Sequence, residues 1–225
     1  MAIPGELRVV DDVASAFAAE MAEAFRSRAQ DPFSIALTGD PTARRCYEHL
    51  AQQDSSLIDW WKVDVYWADE RCVPHDDPDS NYYLAREALL DRVGAANATH
   101  LMRCNEGADS YQLRLGDLGH FDVVHLGLGA DGHTASLFVD SPALSADPGR
   151  LVTMNQDPSG NHPHERMTLT FAGIARAHLA LVTVSGEDKA DAMATMARDN
   201  SLPGSQISAE RVLWLVDQAA AARLS

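Results

Sequence analysis

Two side chains near the middle of the chain, Asp131 and His133, have the types and the spacing of an acid–base pair. An imidazole titrates near neutral pH, as a general base should, and a carboxylate two residues away can orient it. The pair lies within FDVVHLGLGADGHTASLF, residues 121–138, where Phe121–Leu126 predicts a buried strand and Ser136–Phe138 predicts a helical segment. Open α/β sheets bind ligands at such strand ends, and N–H groups at a helix start favour an anion or a developing oxyanion.

Glycines at positions 127, 129 and 132 of the same segment also form the dinucleotide-binding pattern G-x-G-x-x-G. That fingerprint usually follows the first strand of its βαβ unit and requires an acidic residue about 20 residues later. The segment Arg150–Asn155 has strand-like residues but no well-placed acid. We therefore interpret the glycines as a tight turn. A purely structural turn with an exposed histidine remains the alternative.

The elements that must position this pair are predicted from periodicity. Val13, Phe17, Met21 and Phe25 recur every four residues and indicate an amphipathic helix with Asp11 or Asp12 as its N-cap. Further strands are predicted at Phe33–Thr38, Val63–Ala68, Leu151–Asn155, Met167–Thr170, Leu179–Ser185 and Val212–Val216. Helices are predicted up to about Gln53, from Ser80 to Arg92, over Tyr111–Leu118 and from Glu187 to Arg198, with Asp69–Asp79 as a polar loop. This alternation favours a single α/β domain over residues 1–225, with a mostly parallel sheet and helices on both faces.

Composition limits the class of protein and its partners. The 225 residues suffice for one large domain, and the formal net charge of −15 disfavours nucleic acid or an anionic membrane as partner. No run of 18 apolar residues occurs, and the start MAIPGELRVVDD lacks the features of a signal peptide. The three widely spaced cysteines, Cys46, Cys72 and Cys104, favour a reducing, cytoplasmic environment in which they act as packing residues without disulfides.

Four segments together resemble the 6-phosphogluconolactonase family, within the glucosamine-6-phosphate isomerase/lactonase superfamily. They are TGDPT at Thr38–Thr42, WADERCVP…SNY at Trp67–Pro74 and Ser80–Tyr82, GLGADGHTASLF, and RMTLT at Arg166–Thr170 followed by SGEDKADAM at Ser185–Met193. The resemblance implies hydrolysis of 6-phosphoglucono-δ-lactone to 6-phosphogluconate on a Rossmann-like α/β fold. It also implies a small sugar-phosphate substrate and no metal or organic cofactor. Separately, we expect a monomer or weak homo-oligomer.

Residue roles follow from the resemblance together with the chemistry of lactone hydrolysis, which needs a base for water and a proton for the leaving ring oxygen. We expect His133 to be the base, with Asp131 orienting it or holding a substrate hydroxyl. The family implies that Arg71, Arg166 and Lys189 hold the 6-phosphate, with Thr42 and Gly39 as helpers. Structural alternatives are a salt bridge from Arg71 to Asp69 or Glu70, a solvated Arg166, and an ion pair of Lys189 with Glu187, Asp188 or Asp191. Asp69 either binds sugar hydroxyls or is structural.

One loop departs from the family pattern. The usual sequence resembles S-G-G-S-T-P, whereas this chain has Asp40 and Pro41 between Gly39 and Thr42. Pro41 removes an N–H donor and Asp40 brings a negative charge to the place where an anion is expected. Alternatively, Asp40 caps the following helix and points away from the ligand, which is the interpretation we favour.

Two other functions stay open: a glucosamine-6-phosphate deaminase, which shares the D-G-H core and the Asp–Glu pair, and a non-catalytic phosphosugar-binding protein. The deaminase branch typically has an F-N-E-P-like segment after D-G-H, where this chain has Ser136-Leu137-Phe138. Five other side chains are interpreted without a catalytic role. His125 is predicted to be a satisfied core histidine, Trp60 and Trp61 to be packing residues, and the loop containing His162 and His164 to be a mobile surface loop that binds no metal.

Overall fold

The parallel sheet is the central layer of the computed structural model, which describes residues 3–53 and 57–224. Seven parallel strands have the order β1-β10-β9-β6-β2-β3-β5. They are β1 (Glu6–Val10), β2 (Phe33–Leu37), β3 (Val63–Trp67), β5 (Ala98–Thr99), β6 (Phe121–Gly127), β9 (Ala177–Val184) and β10 (Arg211–Asp217). A small antiparallel sheet, β4-β8-β7, joins Asp69–Arg71, Arg166–Leu169 and Val152–Asn155. The predicted α/β architecture with a mostly parallel sheet is confirmed.

Helices connect most strands of the parallel sheet, and the longer helices bury one face. They are α1 (Val13–Ser27), α2 (Pro41–Gln52), α3 (Asn81–Ala85), α4 (Asp91–Val93), α5 (Gly107–Leu118), α6 (Phe171–Ile174) and α7 (Ala190–Arg198). A π-helical turn, Arg86–Leu90, runs between α3 and α4, so the helix predicted from Ser80 to Arg92 is confirmed with an irregular middle. Asp12 caps α1, since its carboxylate accepts a hydrogen bond from Ala14 N at 3.0 Å. The predicted buried face of α1 is confirmed.

Two neighbouring strands, β2 and β6, mark the point where the order of the sheet reverses. Strands β3 and β5 lie beyond β2 on one side of the sheet, and strands β9 and β10 lie beyond β6 on the other side. Loops that leave the carboxyl ends of these two strands diverge and leave a crevice, which is where open α/β sheets bind ligands. The loop after β2 contains Gly39 and Asp40, and the loop after β6 contains Asp131 and His133.

The helical segment predicted at Ser136–Phe138 is wrong. Residues 134–138 form a tight turn closed by a bridge between Thr134 and Leu137, and Ala135 has a left-handed φ of 48°. Ser136 N donates to Thr168 Oγ1 at 3.1 Å, so this N–H group is already bonded. The expectation that N–H groups at a helix start face an oxyanion here is therefore withdrawn. Strands β1 and β5 were not predicted, and the predicted polar loop at Asp69–Asp79 begins with strand β4.

The cysteine prediction is also wrong, because Cys72 and Cys104 form a disulfide with their Cα atoms 5.5 Å apart. The two residues are 32 positions apart in the chain, and the fold brings the segment after β4 against the segment before α5. Cys46 is a buried free cysteine in α2, as predicted.

The predictions for individual histidine and tryptophan residues are partly confirmed. His125 is fully buried and hydrogen-bonded, which confirms it as a satisfied core histidine. Trp60 is buried, but Trp61 is 71% exposed, so its assignment as a packing residue is wrong. Within the described residues, no helix has the length and apolarity needed to cross a membrane.

Candidate active site

The crevice between the carboxyl ends of β2 and β6 opens into a cavity of about 620 Å³. Most of the site residues predicted from the sequence line it, namely Gly39, Thr42, Asp69, Arg71, His133, Arg166 and Lys189. Asp131 does not line the cavity but lies next to it through its bond to His133. The fold therefore brings together residues from segments that span most of the chain.

His133 and Asp131 form a hydrogen-bonded pair, with 2.5 Å between His133 Nδ1 and Asp131 Oδ1. The same carboxylate oxygen accepts a bond from His133 N at 3.1 Å, so backbone and ring are held by one group. Partial burial acts to raise the pKa of Asp131, but the hydrogen bonds from the ring and backbone of His133, together with the charges of His133 and His162, lower the pKa overall. An ionised carboxylate on Nδ1 fixes the tautomer and leaves Nε2 as the nitrogen that can accept a proton. This is the arrangement of an oriented general base.

Glycine at position 129 allows this pair to form. A Cβ atom there would overlap His133 Nδ1 and lie 2.5 Å from Asp131 Oδ1. Gly132 has φ +83°, in the left-handed region that favours glycine, and its N–H donates to Gly129 O at 2.9 Å. The turn closes where Gly129 N donates to His133 O at 2.8 Å. The interpretation of these glycines as a turn is supported, since their lack of side chains makes room for the acid–base pair.

A second imidazole, His162, faces the same cavity and was not predicted as a site residue. Its Nδ1 lies 2.9 Å from Asp157 Oδ2, and its ring centroid lies 4.8 Å from that of His133 and stacks on Phe138. Burial acts to raise the pKa of Asp157, but hydrogen bonds from Ser159 and His162 lower it well below its usual range. The sequence signal was a carboxylate five residues before a histidine, in a loop where Pro158 and Pro163 remove any periodicity.

One group of side chains at the border of the cavity has the donor atoms for a cation. Ligand atoms of Asp131, His133 and His162 all lie within 4.8 Å of one another, close enough to hold a divalent ion. In this structure Asp131 and His133 are bonded to each other, which is also the arrangement that a proton-transfer pair requires. The absence of a metal at this site remains a prediction.

Arg166 is the cation that is most available to a ligand. It is only 5% exposed, it lines the cavity, and its guanidinium lies 5.8 Å from the centre of the Phe138 ring. Burial lowers the pKa of Arg166, and the nearby Asp69 acts in the opposite direction. Among the described residues, its guanidinium has no hydrogen-bond acceptor, and its Nε is buried without a partner. A buried guanidinium of this kind is poised to bind an anion in the cavity.

Arg71 lies opposite Arg166, because β4 and β8 pair these two residues directly. Its Nη1 donates to Asp79 O at 3.0 Å and its Nη2 donates to Gly39 O at 3.1 Å. The alternative of a salt bridge from Arg71 to Asp69 or Glu70 is not found among the described ion pairs. Arg71 thus contributes positive charge to the cavity, but two of its N–H donors are already bonded to backbone carbonyl groups.

Lys189 combines the two interpretations made for it. Its Nζ lies 2.9 Å from Asp188 Oδ2, so the expected helix-face ion pair exists, and the side chain also lines the cavity. Two further cations, Arg44 and Arg45 on α2, line the same cavity and were not predicted. Arg45 Nη2 donates to Ser185 Oγ at 2.9 Å. From the sequence alone, both arginines are typical of solvent-exposed residues on an amphipathic helix, so nothing in the sequence indicates that they line a cavity.

The loop after β2 confirms half of the expectation for Asp40. Its carboxylate caps α2, accepting a bond from Ala43 N at 2.8 Å. However, the side chain does not point away from the expected ligand, because it lines the cavity. It lies against Gly127, where the Cβ atom of any other residue would overlap the Asp40 carboxylate. Burial raises the pKa of Asp40. The helix N-terminus that could have received a phosphate is therefore occupied by a carboxylate of the chain itself.

The carboxylates of Asp69 and Glu70 accept hydrogen bonds from several segments that surround the site and so hold these segments together. Asp69 accepts hydrogen bonds from Thr38 Oγ1 at 3.1 Å, Asn81 Nδ2 at 3.2 Å and Ser136 Oγ at 2.7 Å. Glu70 accepts bonds from three backbone N–H groups, and burial raises its pKa to about 7. These contacts favour the structural role for Asp69, although its side chain also borders the cavity.

Comparison with known proteins places the chain in a sequence family. Residues 5–214 match the family model described as glucosamine-6-phosphate isomerases/6-phosphogluconolactonase. A 6-phosphogluconolactonase of Synechocystis sp. is 37% identical over 211 residues, which cover 85% of this chain and 84% of that protein. The structure of 6-phosphogluconolactonase from Trypanosoma cruzi superimposes with a TM-score of 0.84 at 25% identity, over 100% of this chain and 98% of that one.

A third relative bears on the alternative function. A monomeric glucosamine-6-phosphate deaminase has a TM-score of 0.80 over 97% of this chain and 99% of that chain. Its sequence is only 17% identical, so the similarity shows a common fold and nothing more.

Proposed function

Because this chain belongs to the glucosamine-6-phosphate isomerase/6-phosphogluconolactonase family, we propose that it hydrolyses 6-phospho-D-glucono-1,5-lactone to 6-phospho-D-gluconate, a step of the oxidative pentose phosphate pathway. The observation that carries the proposal is the His133–Asp131 pair, set in one cavity with buried Arg166. Lactonases at 30–38% identity over most of the chain support the same activity.

The proposed reaction begins with a water molecule that donates a hydrogen bond to His133 Nε2. As the water oxygen attacks the lactone carbonyl carbon, the imidazole takes the proton and the carbonyl oxygen becomes an oxyanion. When the bond from that carbon to the ring oxygen breaks, the imidazolium returns its proton to the leaving alkoxide. Asp131 stabilises the imidazolium between the two steps, and the product is the open-chain acid.

The 6-phosphate is proposed to bind at the basic wall of the cavity. Arg166 supplies the planar donor pair that suits a phosphate, and Arg71 and Lys189 add positive charge. Thr42 and Gly39 form the floor beside them. A local concentration of cations is needed because the mean field of a chain with net charge −15 repels the substrate.

The distinguishing experiment measures lactone hydrolysis with the spontaneous background in parallel, and ammonia release from glucosamine 6-phosphate with the same preparation. We expect enzymatic lactone hydrolysis and no ammonia. In this chain Ser136, three residues after His133, donates to Asp69 and so engages a carboxylate that a deaminase would use for proton transfer on the sugar. Ammonia release without lactonase activity would support the deaminase.

The non-catalytic alternative predicts binding of 6-phosphogluconate with hydrolysis at the background rate. The oriented base argues against it, since a binding protein has no need of one. We also propose a monomer or weak homo-oligomer that acts in the cytoplasm, where phosphorylated sugars are retained. Size-exclusion chromatography at several concentrations and fractionation of cells test these two points.

A further inference from the structure

Three metal-ligand side chains meet at the amino edge of the sheet, on the side away from the cavity: His120, Asp122 and His178. Their ligand atoms all lie within 4.8 Å of one another. The register explains why they meet. β6 pairs Phe121 with Ala177 and Val123 with Leu179, so Asp122 is the direct neighbour of His178. Alternate residues of a strand share a face, so the position of His120, immediately before β6, falls on the same side as Asp122.

Hydrogen bonds at both ends of this row orient the potential ligands. His178 Nδ1 lies 2.6 Å from Glu210 Oε2, which directs Nε2 toward the other two side chains. Asp122 Oδ2 accepts bonds from Ser34 N at 2.7 Å and Ser34 Oγ at 2.9 Å, which leaves Oδ1 for a further partner. A carboxylate behind a histidine and donors behind a carboxylate are the second layer that metal ligands commonly have.

The third side chain is held by the turn that precedes β6. Arg176 Nε donates to Gly119 O at 2.7 Å and its Nη1 to Leu115 O at 3.1 Å, which ties the end of α5 to the start of β9. His120 N donates to Leu118 O at 2.8 Å, and its ring lies 4.0 Å from that of His178, centroid to centroid. Two imidazoles are thus packed together beside a carboxylate.

This cluster, which we call the amino-edge cluster, is separate from the active site. The cluster lies at the amino end of β6 and the turn with His133 follows its carboxyl end, and a strand of seven residues spans roughly 20 Å. None of its three side chains borders the cavity. The reaction proposed above does not use it.

We propose that the amino-edge cluster is a binding site for a divalent transition metal of the zinc class, with His120, Asp122 and His178 as its protein ligands. Two imidazoles and one carboxylate are ligands that Zn²⁺ accepts in a tetrahedral site, with water in the fourth position. The high negative charge of the chain favours a cation over an anion here. The bound ion links the turn before β6 to β9 and so stabilises the folded state.

The test titrates the metal-free protein with Zn²⁺ alone by calorimetry, and with Co²⁺ alone by visible absorption, which reports tetrahedral coordination. His178→Gln and His120→Gln are compared with His162→Gln, the matched control in the active-site cavity. We expect one tight site in the wild type and in His162→Gln, and at least a tenfold weaker site in the other two. At a metal concentration of about 100 times the Kd, Tm rises by roughly 5–10 °C.

Two results would overturn the proposal. One is the lack of saturable Zn²⁺ or Co²⁺ binding by the wild type; the other is binding that His162→Gln abolishes while His178→Gln leaves it unchanged, which would place the metal in the cavity. Because a variant can fail to fold, a second measurement uses the wild type itself. Zn²⁺ should protect His120 and His178 from acylation by diethylpyrocarbonate, mapped by mass spectrometry, and equal labelling with and without Zn²⁺ would also refute the site.

Discussion

The two ends of the cavity are built differently. At the base end, a glycine turn after β6 holds one acid–base pair through contacts made within seven residues. At the other end, where we propose that the phosphate binds and which we call the phosphate end, the cations come from β4, β8, α2 and the segment before α7, and a carboxylate occupies the N-terminus of α2. The base end depends on contacts between residues close in the chain, so we expect it to tolerate little change. At the phosphate end, several cations from different elements share the proposed binding of the phosphate. Mutations should therefore have steep effects at one end and graded effects at the other.

The largest effect is expected from His133→Ala. Loss of the general base should reduce kcat for lactone hydrolysis by at least roughly 10²-fold, because no other group in the pair can take the proton from water. The measurement is a pH-stat assay from which the spontaneous rate is subtracted. Asp131→Asn serves as the matched variant and should cost less, since it weakens the orientation of the ring and leaves the ring in place. Turnover near that of the wild type in His133→Ala would remove this residue from the mechanism.

At the phosphate end, Arg166→Gln should raise KM for the 6-phosphorylated lactone by roughly 10–100-fold, the equivalent of one charge-assisted bidentate contact. Its KM for unphosphorylated gluconolactone should change little. Arg71→Gln is the matched variant and should have a smaller effect, because carbonyl groups of Gly39 and Asp79 already hold that guanidinium. Equal losses on both substrates would contradict a phosphate role for Arg166.

The same contrast explains what the sequence could predict. Apolar segments predicted five of the seven strands of the parallel sheet and most helices. The D-G-H turn could be predicted because its residues are neighbours in the chain. His162 was missed because only the folded loop brings it to 4.8 Å from His133. The helix expected at Ser136–Phe138 failed because tertiary bonds to Thr168 and Asp69 take over that backbone. The disulfide was missed for a similar reason, since spacing along the chain contains no information on distance in space.

A substitution of His162 tests whether one or two histidine–aspartate pairs act at the base end. With Nδ1 bonded to Asp157, the protonated form of the ring can donate from Nε2 toward the leaving oxygen or the oxyanion. His162→Asn should lower kcat by about tenfold and alter the pH profile of kcat. This is less than the roughly 10²–10⁴-fold of an essential acid or base, because His133 stays in place. Phe138→Leu, which removes the stacking surface and keeps the imidazole, is the matched control. A pH profile that His162→Asn leaves unchanged would restrict this residue to packing.

Asp40→Asn tests the departure at the phosphate end. Asparagine is as good an N-cap as aspartate, so α2 should keep its start while the cavity loses a negative charge. We expect KM for the phosphorylated lactone to fall several-fold, in the range of a single partly screened charge. Asp12→Asn is the matched control, since Asp12 caps α1 outside this cavity. An unchanged KM would show that the charge of Asp40 does not oppose binding of the phosphate.

The smallest effect on activity, and a clear effect on stability, is expected from the residues that join the two ends. Tyr47 Oη accepts from Thr38 N at 3.0 Å, on the phosphate side, and lies 2.9 Å from His125 Nδ1, on the strand that leads to the catalytic turn. His125 Nε2 lies 2.9 Å from Thr183 Oγ1, so the neutral ring uses both nitrogens. Burial lowers the pKa of His125 to about 3.

The direction of the pH effect follows from the proton balance of His125. Below the unfolded pKa of about 6.5 the unfolded chain takes up a proton that the folded protein does not, so stability present above that pH is lost as the pH falls toward 3. Between pH 6.5 and pH 5 this costs about 2 kcal/mol of the free energy of unfolding. Urea titrations should therefore show a shallower pH dependence for His125→Gln than for the wild type. Because His125 and Tyr47 connect both ends, activity on phosphorylated and unphosphorylated lactones should decline together as the wild type unfolds in acid. Parallel stability curves for the two proteins would show that this histidine does not couple the fold to pH.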